Sequence, residues 1–236
     1  MSNDYFKFRH FTVTQDKCAM KVCTDSCILG SWFAGKMTGI NAVLDIGSGS
    51  GLLMLMLAQK SKAAIHGIEI DQPAYQQSLG NIQTFSANQK LAVFNGDARE
   101  FVFPEKYDFI ISNPPFYQND LPGQALNDNV AKHSTVLDFG QLLNIISKNL
   151  SANGTFGVLL PARRWKSFDD SVPKEFTGLE RVFLRQTPAH EPFRAILHYG
   201  RQTMGGVKES ELIIKDHSGI YTSEFVRLLK DYYLYL

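Results

Sequence analysis

Short apolar runs recur along the chain, each followed by a polar or glycine-rich break and then by apolar positions at helical spacing. Ala42–Ile46, Ala64–Ile70, Leu91–Phe94, Phe109–Ile111 and Gly154–Leu160 are continuous and rich in β-branched residues. That pattern predicts strands buried on both faces. Between them, Leu52–Ala58 is almost wholly apolar, which predicts a helix sandwiched between layers. Residues 72–87 carry Tyr75, Leu79, Ile82 and Phe85 at helical spacing, with Pro73 in the first turn and Asp71 as the candidate cap. Asp138 opens a further amphipathic helix through Phe139, Leu142, Leu143, Ile146 and Leu150. Strand–helix alternation of this kind predicts an α/β doubly wound, mostly parallel sheet with helices on both faces and right-handed crossovers.

The two ends of the chain follow a looser pattern. Phe6, Phe8, Phe11 and Val13 suggest a short strand pair, and Thr24 or Asp25 is placed to N-cap a helix through Ile28–Phe33. After Pro161, Arg163–Lys166 opens a helical segment broken by Pro173. Leu179–Leu184 and Ala195–Tyr199 read as a hairpin-like pair around Pro188–Pro192, which makes seven strands in all with an antiparallel last strand. Glu211–Ile214 is a candidate short edge strand outside that count, and 223–236 a closing helix with Phe225, Leu228, Leu229, Tyr232 and Leu236 on one side.

Composition narrows the class. The chain has 236 residues, 44% of them hydrophobic, with 17 Phe and 9 Tyr, enough for a sizeable core in one domain spanning 1–236. A net charge of +1 excludes a global field for polyanions, so any nucleic acid has to be met by a local patch. There is no 18-residue apolar span and no signal-peptide core at the amino terminus, so a soluble, cytoplasmic protein without a membrane partner is expected. Cys18, Cys23 and Cys27 fit half of a zinc pattern, but no second ligand pair follows. They are read as reduced thiols, and no metal is expected.

The chemistry lies at the carboxyl ends of the predicted strands, where open α/β sheets bind ligands. After Asp45, the turn Gly47-Ser48-Gly49-Ser50-Gly51 lets the backbone bend tightly and approach a ligand. Its spacing is not that of the dinucleotide fingerprint, and no Walker lysine follows, which argues against a triphosphate. Glu69, with Ile70 beside it, ends the next strand 18 residues past Gly51 and is placed to accept from ribose hydroxyls. Asp97, followed by Ala98, is an acceptor for an exocyclic adenine amine or simply a turn aspartate. The fourth strand ends in Asn113-Pro114-Pro115-Phe116, where two prolines stop the strand and present an amide, a carbonyl and an aromatic face in one stiff turn. Together these describe a nucleoside-containing cofactor beside a planar group bearing an NH2. Residues 117–135, which include Lys132, are polar and read as a substrate loop. Lys21, Arg163, Arg164 and Arg194 are the basic candidates for a rim that meets nucleic-acid phosphate. Their alternative is an ordinary solvated surface.

These motifs, in this order, resemble those of class I S-adenosylmethionine-dependent methyltransferases. The Asn-Pro-Pro-Phe form is similar to the branch that methylates adenine N6, cytosine N4 or a glutamine amide. Phe11-Thr12-Val13, Asp16–Val22, Thr24-Asp25 and Leu29–Trp32 resemble, more narrowly, the bacterial tRNA(Val) adenine-N6 methyltransferase family. That family's block has glycines on either side of its Thr-Asp pair, where this chain has Cys23 and Ser26. The resemblance implies S-adenosyl-L-methionine as cofactor and a monomeric enzyme acting on the adenosine 3′ of the anticodon in a valine tRNA. It also implies cofactor contacts from Thr24, Asp45, Gly47, Ser48, Gly49, Gly51, Glu69, Ile70, Asp97, Ala98 and Asn113. Catalysis falls to Asn113, Pro114, Pro115 and Phe116, with residues 1–35 contributing to both ligands. Methylation of a protein glutamine amide or a ribosomal RNA adenine, a nicotinamide oxidoreductase and a non-catalytic RNA-binding scaffold are the rivals.

Overall fold

The computed structural model describes residues 3–85, 90–114, 137–201 and 205–236. The amino-terminal strands β1 (Tyr5–Lys7) and β2 (Thr12–Thr14) pair antiparallel with Phe6 opposite Val13, as the aromatic spacing predicts. The large sheet contains β3 (Ala42–Ile46), β4 (Ala64–Glu69), β5 (Leu91–Asn95), β6 (Tyr107–Ser112), β7 (Leu150–Pro161), β8 (Phe176–Arg185), β9 (Arg194–Arg201) and β10 (Lys208–Ile213). Its order is β10-β8-β9-β7-β6-β3-β4-β5.

The sheet therefore has eight strands, not seven. The antiparallel member is β9, which opposes both β7 and β8, while β10 runs parallel to β8. The eighth strand is hard to read because its outer residues are charged. Glu209 stands directly across from Arg181, Glu211 reaches Arg185 on the diagonal, and only Leu212 is fully buried. Cross-strand charge pairs hold such an edge, with Arg185 2.9 Å from Glu211.

Helices cover both faces: α1 (Thr24–Ala34), α2 (Leu52–Ala58), α3 (Gln72–Gln83), α4 (Phe139–Asn149), α5 (Trp165–Asp169) and α6 (Ser223–Leu229). Along β3, Val43 joins the core formed with α1 and α2, while Leu44 and Ile46 join the one formed with α4. This is the period-two alternation of a strand buried on both sides. Three helix ends differ from expectation. α3 stops at Gln83, and the expected continuation to 87 runs into residues outside the described set. Leu150 belongs to β7, since its backbone is extended. The closing helix ends at Leu229, and Tyr232 beyond it is buried with its hydroxyl donating to the Met56 carbonyl at 3.0 Å.

The amino-terminal segment is fastened to this body by side-chain amides. Asn81 on α3 accepts from the Thr14 N–H (3.0 Å) and hydroxyl (2.6 Å) and donates to the carbonyls of Thr14 (2.9 Å) and Ser50 (2.8 Å). Gln77 accepts from the Lys17 N–H at 2.9 Å and donates to Asp16. Residues 14–17 are thereby laid beside the glycine turn.

Candidate active site

Strand register assembles the site. Ile46 is opposite Ser112 on one side and Ile68 on the other, so Gly47 lies between Asn113 and Glu69. Glu69 is in turn opposite Asn95, two residues before Asp97. The chain goes from β3 to β4 and β5 in one direction, then crosses to β6 on the far side of β3. That reversal is where an open α/β sheet offers a crevice.

Gly47, Gly49 and Gly51 all have positive φ (75°, 53° and 78°), a region that strains other residues. Their surroundings differ. A Cβ on Gly47 or Gly49 would meet nothing within 4 Å, whereas one on Gly51 would lie 2.7 Å from the Ser78 hydroxyl on α3. The first two border open space, and the third lets α2 and α3 close together.

Two buried carboxylates flank the turn in opposite states. Glu69 is held by backbone, its Oε2 accepting from the Gly49 N–H at 2.8 Å and its Oε1 from the Asp71 N–H at 2.9 Å. Asp45 is 0% exposed, and neither of its oxygens has a hydrogen-bond partner. Burial, reinforced by the charge of Glu69, pushes its carboxyl up to about 8. The Ser48 hydroxyl beside it is buried and unpartnered as well.

Asp97 is gripped by Arg99, whose Nε lies 2.9 Å from both carboxylate oxygens. These hydrogen bonds hold Asp97 below the usual carboxylate range. Ala98 is half-buried against the core under α4. Ile70 lies beyond the end of β4 and is exposed.

Asn113 follows β6 directly, with Pro114 buried behind it. Its Nδ2 donates to the Ser26 hydroxyl oxygen at 2.8 Å and faces the Met20 Sδ at 3.6 Å. The N-cap of α1 is Cys23, neither Thr24 nor Asp25; Cys23 is extended and makes no capping bond. Thr24 is the exposed first residue of the helix and lies within hydrogen-bond reach of the Tyr233 hydroxyl. Cys18 feels the charges of Glu69 and Asp71, so the amino-terminal segment passes from Glu69 (at Cys18) to Asn113 (at Met20).

Pro115, Phe116, Lys132 and the expected substrate loop 117–135 lie outside the described residues. Of the basic candidates, Arg194 pairs with Asp25 at 2.7 Å and Arg164 stacks over the Phe139 ring at 4.5 Å. Arg163 follows β7 in the short turn Ala162–Arg164, and Lys21 is half-buried near Cys18. Arg181 and Arg185 on β8 and Arg201 at the end of β9 face Asp169, Glu211 and Glu175. Sequence reasoning gave no role at the site to Ser26, Met20, Gln77 or Asn81. The available signal was polar residues on buried helix faces: Ser26, Gln77 and Asn81 are each less than 9% exposed.

The same architecture is found in methyltransferases of known structure. The N-methyltransferase NodS from Bradyrhizobium japonicum, solved with S-adenosyl-L-homocysteine, aligns with a TM-score of 0.55 at 16% identity, over 75% of this chain and 87% of that one. TYW2 from P. horikoshii, solved with MeSAdo, aligns with a TM-score of 0.60 at 14% identity, over 85% and 72%. The fold is that of the class I S-adenosylmethionine-dependent methyltransferases, and residues 21–158 match the methyltransferase small domain family.

Sequence relatives are narrower. The tRNA1(Val) (adenine(37)-N6)-methyltransferase of Dyadobacter fermentans is 36% identical over 237 residues, covering 98% of each chain. Its namesake in Phocaeicola vulgatus is 33% identical over 235 residues, covering 99% of each. The chain belongs to this family of S-adenosylmethionine-dependent methyltransferases, and S-adenosylmethionine is its cofactor.

The residues present fit that cofactor. Gly47 and Gly49 leave a cradle that a side chain would fill, and the unpartnered Asp45 is an acceptor suited to an ammonium group. Among the described residues, no cluster of His, Cys, Asp and Glu is placed to hold a metal ion, and no helix is long and apolar enough to cross a membrane.

Proposed function

We infer that this chain methylates the N6 atom of an adenosine in tRNA, the adenosine 3′ of the anticodon in a valine tRNA. The observation that carries the reading is Asn113-Pro114 at the switch point, one strand from the glycine turn. Relatives at 33–36% identity along the whole chain bear the corresponding name.

When bound, S-adenosylmethionine supplies an electrophilic methyl group on a sulfonium sulfur. Glu69 holds the ribose hydroxyls and Asp45 the ammonium of the amino-acid end. Thr24, Ser48 and Ile70 border the cofactor with the glycines, and Gly51 shapes the turn. Asp97 orients the adenine end with Arg99 attached, and Ala98 packs beneath it.

At the acceptor, the N6 lone pair of adenine is delocalised into the ring and is a poor nucleophile. The Asn113 Oδ1 and the Pro114 carbonyl accept from the two N6 hydrogens, favouring a tetrahedral nitrogen whose lone pair is free to react. Phe116 stacks on the flipped base and Pro115 stiffens the turn. The methylated nitrogen is acidic enough to lose its proton to solvent, so no strong base is required.

Residues 1–35 serve both ligands within one methyltransferase domain spanning 1–236, and the enzyme works as a cytoplasmic monomer. Lys21, Lys132, Arg163 and Arg164 meet the RNA backbone, whereas Arg194 acts from within its ion pair with Asp25. A glutamine amide presents a similar NH2, but the named relatives do not favour it.

The test uses isotopically labelled S-adenosylmethionine and total tRNA from cells lacking this protein, followed by nucleoside mass spectrometry. Labelled N6-methyladenosine in one valine tRNA is the expected result. Label in protein or ribosomal RNA but in no tRNA would overturn the substrate assignment.

A further inference from the structure

We propose that Ser26 is a positioning residue that fixes which end of the Asn113 amide faces the acceptor. The inference rests on the methyl-transfer reading above and adds a residue to it. An asparagine amide has a donor end and an acceptor end of nearly the same shape, and only the carbonyl oxygen can accept from an N6 hydrogen. Something must therefore select one of two orientations related by a half-turn of the amide.

The selection follows from a hydrogen-bond chain that runs in one direction. It ends on Asp25, 8% exposed, whose Oδ1 accepts from the Ser26 N–H at 3.0 Å and whose Oδ2 accepts from the Arg194 Nε–H at 2.7 Å. An ionised carboxylate accepts only. The Asp25 carboxylate also acts on the Cys23 thiol, and its negative charge draws the single thiol hydrogen toward itself. The Cys23 sulfur, 2.9 Å from the Ser26 oxygen, is then left as an acceptor for the Ser26 hydroxyl hydrogen. With that hydrogen used, the Ser26 oxygen presents only lone pairs to Asn113, 2.8 Å away.

The amide has to meet Ser26 with its NH2. The Met20 thioether, 3.6 Å from the same nitrogen, is likewise an acceptor without hydrogens. Two acceptors on the nitrogen side leave Oδ1 for the substrate. Bonds polarised in one sense reinforce one another. The arrangement spans three parts of the fold: the start of α1, the end of β6 and the start of β9.

The experiment is a double-mutant cycle on the full-length enzyme, reading single-turnover methylation of a valine tRNA alongside cofactor affinity and melting temperature. Ser26→Ala is expected to lower the methylation rate roughly tenfold, the worth of one buried hydrogen bond, with cofactor affinity kept. Ser26→Thr keeps the hydroxyl and is expected to recover the rate relative to Ser26→Ala. In an Asn113→Ala background, Ser26→Ala is expected to remove nothing further from the residual rate, because the group it orients is gone.

A tenfold loss in both backgrounds would overturn the proposal in favour of general structural damage. So would a wild-type rate for Ser26→Ala in an enzyme that methylates tRNA. Absence of methylation by the wild-type enzyme would instead overturn the reading on which the inference rests.

Discussion

The two sides of the crevice are built differently. On the cofactor side, the partners are close in sequence and largely backbone. The Gly49 N–H meets Glu69 20 residues away, and the Asp71 N–H meets it from two residues away. On the acceptor side, the hydrogen bonds of the Asn113 amide group among the described residues are to side chains and bridge a long stretch of chain. Ser26 is 87 residues from Asn113 and Met20 is 93, while Arg194 reaches Asp25 across 169. A side made of turn and strand ends forms with the sheet itself. A side made of side-chain relays exists only once α1, β6 and β9 have packed. This difference predicts a division of labour in which the first side sets affinity and the second sets rate.

Asn113→Ala is the strongest way to break that division. Removing one acceptor from the reacting nitrogen is expected to lower the methylation rate by about 100–1,000-fold, or about 3–4 kcal/mol, by analogy with deleting one oxyanion-hole donor. Cofactor affinity should stay within about twofold, since Asn113 has no part in the Glu69 network. Single-turnover kinetics beside calorimetric titration of the cofactor would measure both. Equal losses in rate and affinity would show that the two sides act as one.

The glycine turn sharpens the comparison within the cofactor side. Gly51→Ala forces an L-residue to φ 78° and brings a Cβ to 2.7 Å from the Ser78 hydroxyl. It should destabilise the protein by about 2 kcal/mol, a melting temperature lower by about 4–8 °C. Gly49→Ala, at φ 53° with open space around its Cβ, should cost about 1 kcal/mol of stability. Its larger effect should be on cofactor binding, weakened about tenfold or more as the cradle fills. Similar melting temperatures for the two variants would remove the distinction between a packing glycine and a binding glycine.

This difference also explains what the sequence alone made legible. Strand, glycine turn, helix and the acid ending the next strand are local patterns, and β3, α2, β4 and Glu69 lie where those patterns put them. Asn113 was equally plain, because two prolines at a strand end have few structural uses. Ser26 was invisible in its role, since a serine in the first turn of a helix reads as a capping residue until the fold brings Asn113 to it. Asp97 was legible as an acid at a strand end, but its engagement by Arg99 was not, although the two are neighbours. Nothing local distinguishes a paired aspartate from an open one. The eighth strand was legible only as a candidate edge strand outside the count, for a related reason: its stabilising partners, Arg181 and Arg185, belong to another strand.

The smallest effect should come from Asp45, and it isolates the one carboxylate of the cofactor side that the protein leaves unpaired. Its folded-state value is raised from 3.8 to about 8. Between those values the folded, ligand-free protein holds a proton that the unfolded chain has released, so the contribution of Asp45 to stability falls as pH rises through that window. An ammonium placed beside it reverses the preference and draws the proton off. Cofactor affinity should therefore increase with pH, roughly tenfold between pH 6.5 and 7.5, since one proton is exchanged for one cation. Asp45→Asn carries no proton to release. Its affinity should be flat over the same interval, and its ligand-free melting temperature should decline less with pH than that of the wild type. Parallel slopes in the two proteins would place the titrating group elsewhere and leave Asp45 as a buried acid that makes no contact with the cofactor.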